Sequence, residues 1–140
     1  KMNIDELKLK VESMEKEALL YYRTLSFKRN AQKNENNNTS SYDIMIRKAL
    51  TKYRAYALCK FYIKEASTNE DLDRVIKGIN SNINRLTLNI KELERKAKKA
   101  LDQKAIMAEI KYKELEIKFC SDIITLINEY LNKESEMKLK

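Results

Sequence analysis

The chain has 140 residues, enough for one domain, with a single Gly and no Pro, His or Trp. No His means no imidazole base, shuttle or metal ligand, and Gly78 alone makes neither a glycine-rich phosphate loop nor a dinucleotide fingerprint. Hydrophobic residues at 43% beside 36% charged residues fit long amphipathic helices, and a net charge of +8 points to an acidic partner: nucleic acid, an anionic membrane or an acidic protein.

The first predicted helix covers residues 3–32. Ile4, Leu7, Val11, Met14, Ala18, Tyr21 and Leu25 follow 3-4 spacing, the seam of a helix packed on another, with Lys16 and Arg23 opposite. Residues 33–41, KNENNNTSS, are polar and aperiodic and form a connector. Ser40 followed by Asp43 reads as a helix N-cap with an acid in the first turn. The second helix, 42–66, has a wide stripe: Tyr42, Ile46, Ala49, Leu50, Tyr53, Ala57 and Phe61. Ser67-Thr68-Asn69-Glu70 forms a capping box that opens a third helix or bends the second.

The third helix, 70–101, has a nearly perfect heptad seam of Leu72, Ile76, Ile79, Ile83, Leu86, Ile90 and Leu93, continued by Ala97 and Ala100. Gly78 falls off that seam on the exposed side, at a cost of about 1 kcal/mol relative to Ala. The fourth helix, 104–133, carries Ile106, Ile110, Ile117, Cys120, Ile124, Ile127 and Leu131, interrupted by Lys113, and the tail KESEMKLK frays. The fold class is all-α: one domain, 1–140, built as a long antiparallel helical hairpin with additional packed helices, an elongated, coiled-coil-like bundle. Breakers are missing between the last three segments, so a closed bundle and a continuous rod both stay open.

Candidate chemistry is sparse. Cys59 and Cys120 make no CxxC pair; free packed thiols of an intracellular protein are the first reading, one long-range disulfide of a secreted protein the second. No apolar run approaches the roughly 18 residues of a membrane span, and no signal peptide is visible, so any membrane contact is peripheral. Carboxylates pair with bases a helical turn away, as Glu12 with Lys16 and Glu92 with Lys96. Glu109, Glu114 and Glu116 lack the His partners of a di-iron bundle. The reading is therefore no enzyme and no cofactor. Tyr42, Tyr53, Tyr56 and Tyr62 lie among basic residues, as base-stacking aromatics do. Helix packing explains them more simply, and the basic-region zipper pattern is absent, so nucleic acid is disfavoured.

Charge is unevenly distributed. Between Lys16 and Lys64 there are 11 basic residues against 3 acids, Glu17, Glu35 and Asp43. Folded as a hairpin, this stretch makes one basic end and flank. It is either a solvated face or a contact for an anionic bilayer, where each nearby Lys or Arg contributes about 1 kcal/mol. The candidate membrane-binding residues are Lys28, Arg29, Lys33, Arg47, Lys48, Lys52 and Arg54.

Several segments resemble the ESCRT-III (charged multivesicular body) proteins. IDELKLKVESMEKEA, residues 4–18, is similar to their opening helix, and IRKALTKYRAY, 46–56, to their second-helix run through Ala49, Leu50, Lys52, Tyr53 and Arg54. NEDLDRVIKGINS, 69–81, and DQKAIMAEI followed by SDIITLIN, within 102–128, resemble later parts of the family in the same order. The resemblance implies a long hairpin of the first two helices with smaller helices packed on it. It also implies a switch to an open state in which the second and third segments fuse. The implied function is that of a membrane-remodelling filament subunit, cytoplasmic and peripheral on endosomal or other membranes. Its partners would be an anionic membrane surface and itself or related helical subunits, with the seam from Leu72 to Leu93 available for self-assembly or packing. Two alternatives stand beside it: a coiled-coil scaffold or interaction module without membrane activity, and a helical surface protein that binds a host ligand.

Overall fold

Asn3 opens the first helix by accepting the Glu6 N–H at 2.9 Å, and Asp5 and Glu6 place negative charge in its first turn. The computed structural model describes residues 3–139, which form four helices and no strand: α1 (Ile4–Asn34), α2 (Ser40–Ile63), α3 (Asn69–Ala97) and α4 (Lys104–Leu139). At 1.5 Å per residue, the 36 residues of α4 span about 54 Å.

Two antiparallel hairpins, α1–α2 and α3–α4, pack through their second members. Arg47 meets Tyr112, and Tyr56 meets Phe119 farther along both helices, so α2 and α4 run parallel. Helices α1 and α3 are outer, and their backbones do not approach each other closely. This up-down-up-down path puts the connections 35–39 and 98–103 at one end of the bundle. The α2–α3 connection, 64–68, lies at the other.

The main core lies toward that second end. Leu7 and Val11 of α1 join Ala55, Tyr56, Cys59 and Ile63 of α2, Leu72, Val75 and Ile79 of α3, and Cys120, Ile123, Ile127 and Tyr130 of α4. Burying each Leu or Ile stabilises the fold by about 1.5–3 kcal/mol. Lys8 Nζ donates to the Ala66 carbonyl at 2.9 Å, tying the start of α1 to the α2–α3 connection.

The seams of α1 and α2 differ in places from the sequence reading. In α1, Leu7, Val11, Ala18 and Leu25 are buried, but Tyr21 is exposed. Glu15 is buried instead, held by Lys60 at 3.0 Å. In α2 the buried side is Ala49, Ala55, Tyr56, Cys59 and Ile63, whereas Phe61 is exposed. The reason is position: α2 has neighbours on three sides, so its apolar arc is wider than, and rotated from, a two-helix seam.

In α3 the predicted seam does face inward: Leu72, Ile79 and Leu86 are buried, and Ile76, Ile83, Ile90 and Leu93 are half-buried. Gly78 is not on an open face. It is half-buried, and a Cβ there would lie 2.8 Å from the Tyr62 ring.

Helix ends also move. The cap of α3 is Thr68 with Asp71, not Ser67 with Glu70: Asp71 N–H donates to Thr68 Oγ1 at 3.1 Å, and Asp71 Oδ2 accepts the backbone N–H groups of Thr68 and Ser67. One carboxylate thereby satisfies two orphan donors. Ser40 is not an N-cap. It lies within α2, and Asn38 Oδ1 accepts its N–H at 2.9 Å and its hydroxyl at 2.7 Å. Helix α3 stops at Ala97, where Gln103 Nε2 folds back on the Ala97 carbonyl at 2.9 Å. The tail predicted to fray is helical to Leu139, extending from a segment that buried Tyr130 and half-buried Leu131 hold on the bundle; Lys140 lies outside the described residues.

Candidate functional site

The seven basic residues chosen from the sequence do not form one face. Lys28 and Lys33 are exposed near the end of α1, and Arg29 pairs there with Asp43 of α2. Lys48 is exposed on α2. Arg47 lies over the Tyr112 ring, its Cζ 4.1 Å from the centroid. Together with Arg54 it lines a cleft of about 240 Å³ between α2 and α4 that also contains Glu109 and Glu116. Acids therefore offset these two arginines. Lys52 turns to the other side of α2 and lies above Phe119 and Tyr56, 5.6 and 5.9 Å from the ring centroids. Burial raises the Tyr56 phenol, so that ring stays neutral beneath the ammonium.

Bases nearer the core end are paired. Lys60 is raised above the usual lysine range by its hydrogen bond and charge attraction to Glu15. Glu12 is held below the usual carboxylate range by Lys16, 3.1 Å away. The Lys60–Glu15 pair ties α2 to α1, whereas Lys16–Glu12 lies exposed along α1.

The end that carries the 35–39 and 98–103 connections contains a second basic cluster the sequence reading passed over. Arg95, Lys96, Lys98, Lys99 and Lys104 surround the 98–103 connection, with Asp102 inside it and Glu94 beside Arg95 as the acids. The 35–39 tip contributes Lys28, Arg29, Lys33, Arg47 and Lys48 against Glu35 and Asp43. Helices α2 and α4 both begin about two turns before the Arg47–Tyr112 contact, so the two tips project to similar height. The opposite end is mixed: Asp5, Glu6, Glu65, Glu70, Asp71 and Asp73 lie among Lys8, Lys10, Lys64 and Arg74, and the end of α4 adds Glu129, Glu134 and Glu136 with Lys133 and Lys138. The charge is thus polarised along the long axis. Linear counting hid this, because acids elsewhere cancel the second cluster in the chain total.

The candidate assembly seam is covered within the chain, since Leu72 to Leu93 pack against the other helices. Cys59 and Cys120 are both buried and face each other across α2 and α4, close enough for a thiol–thiol hydrogen bond. Together with burial, that bond pushes the Cys59 thiol far above its ordinary range. Among the described residues, no group of three or more Cys, Asp or Glu is placed to hold a metal ion, and no helix is long and apolar enough to cross a membrane.

No family model, curated protein or solved structure matches this chain. The likeness to ESCRT-III proteins rests on the sequence segments alone, and α3 and α4, with 29 and 36 residues, are not the smaller helices that likeness implies.

Proposed function

We propose that this protein is a peripheral binder of anionic membrane surfaces that docks end-on through its two hairpin tips. The observation that supports this reading is the axial charge polarity: two helical tips, distant in sequence, place ten basic residues at one end against five acids, Glu35, Asp43, Glu94, Asp102 and Glu109. Each base near an anionic surface adds about 1 kcal/mol, so several acting together give useful binding without any single strong contact. Assembly of the ESCRT-III kind through the Leu72–Leu93 seam would require α3 to part from α4.

Co-sedimentation with phosphatidylserine-containing and with purely phosphatidylcholine vesicles, across a salt series, tests the reading. The protein should pellet with the anionic vesicles only, and less as salt shortens the Debye length. Reversing Lys48, Lys98 and Lys99 to Glu should lower binding by about ten-fold or more. Reversing Lys133 and Lys138, near the far end of α4, should change it little. Equal pelleting with both vesicles, or no loss in the triple variant, refutes membrane docking.

A second reading has its own observation. The outward face of α1 carries Leu9, Leu20 and Phe27, exposed by 63%, 67% and 75% and spaced by whole pairs or triplets of turns. Such a stripe suits a partner helix. A stable lipid-independent oligomer that Leu20→Lys and Phe27→Lys dissolve would favour the scaffold function instead.

A further inference from the structure

The 98–103 connection is ordered by its own polar groups. Lys99 N–H donates to the Lys96 carbonyl at 3.1 Å, and Ala100 N–H to the Ala97 carbonyl at 3.4 Å. Gln103 Nε2 closes on Ala97, and Asp102 Oδ1 accepts the Lys104 N–H at 3.0 Å as α4 begins. The polar side chains fold back toward the helix ends. Leu101 does the opposite: it is fully exposed, with Met107 half-exposed on the first turn of α4. At the neighbouring tip Ile44 and Met45, early in α2, are exposed as well.

A large aliphatic side chain held in water at a turn gains nothing for the fold, since it buries no area. Its setting narrows the occupant. Lys98, Lys99 and Lys104 flank it against one acid, Asp102, whose carboxylate is turned to the Lys104 N–H, so the partner carries negative charge around an apolar interior. An anionic bilayer has that layering. A single-stranded nucleic acid offers phosphates but stacks its bases on aromatic rings, and the 98–103 turn has none.

Building on the end-on docking above, we propose that the α3–α4 connection is an insertion loop: Leu101 enters the acyl boundary of an anionic bilayer while Lys98, Lys99 and Lys104 hold the headgroup phosphates. The hydrogen-bonded turn lets Leu101 insert without first ordering the loop, which keeps the entropy cost of docking low.

The chain contains no Trp, so Leu101→Trp installs a single reporter at the tip. With phosphatidylserine–phosphatidylcholine vesicles its emission should shift to the blue and be quenched by brominated acyl chains. Leu88→Trp, exposed on α3 about 13 Å back from the helix end, should keep its aqueous emission. Leu101→Asp should weaken vesicle binding about ten-fold with helicity unchanged, and Leu101→Ile should restore it. Pelleting with anionic vesicles while the indole stays in water overturns the insertion loop and leaves end-on docking intact. Failure to pellet overturns both. An equal blue shift with heparin, a polyanion without acyl chains, also overturns insertion and points to a non-lipid polyanion.

Discussion

The Tyr62 ring lies against the backbone of Gly78, so close that a Cβ at position 78 would meet its Cε1 at 2.8 Å and its Cδ1 at 2.9 Å. The glycine lets a ring from α2 rest on α3 beside Asp71, Arg74 and Val75. Helix α3 forgoes about 1 kcal/mol of helical propensity at that position relative to Ala.

Gly78→Ala should therefore gain less than its propensity value, or lose stability, because Tyr62 must rotate outward. With Tyr62→Ala already present, the same substitution should stabilise the protein by about 1 kcal/mol. Urea unfolding of the four proteins in the cycle measures the coupling. Equal effects in both backgrounds would show that the ring does not constrain position 78.

The cap of α3 makes a second prediction. Thr68→Ala should cost about 1 kcal/mol, since it leaves the Asp71 N–H without its acceptor. Asp71 is held below the usual aspartate range, first by the Ser67 backbone N–H and then by Thr68. A depressed folded value means that its stabilisation is present above the unfolded pKa and is lost as pH falls through the folded one. Asp71→Asn should be less stable at neutral pH and lose less on acidification. Parallel acid dependence in both proteins, measured as urea midpoint against pH, would remove Asp71 from the account.

Cys59 and Cys120 should be silent toward a thiol reagent in the native protein, because both are fully buried. Labelling with Ellman's reagent should be slow in buffer and should yield both thiols together across the urea transition. Rapid reaction of either cysteine in native conditions would mean that α2 and α4 separate locally.

Core and surface should respond in opposite ways to truncation. Ile79→Ala, at a fully buried site, should cost about 2–5 kcal/mol. Phe61→Ala should change stability by only about 0.5 kcal/mol, although Phe61 belongs to the apolar stripe of the linear sequence. A large loss at Phe61 would put that face of α2 against something other than water.

The sequence by itself determined that this chain is all-α with four helical segments, whose ends shift by up to six residues, and which side of α3 turns inward. Those properties are local: 3-4 spacing of apolar residues fixes a face whatever the partner, and the scarcity of Gly and Pro removes other elements. Tertiary structure decided the rest. Phe61 faces water because three neighbours set the inner side of α2, and Tyr21 because α1 is an outer helix packed mainly on α2, with Tyr21 at the rim of that contact. Gly78 meets Tyr62, and Cys59 meets Cys120, through packing between helices that spacing does not encode. The basic end is of the same kind. Lys98, Lys99 and Lys104 join Lys28, Lys33 and Lys48 only because α2 and α4 run parallel, bringing two distant turns to one end of the bundle.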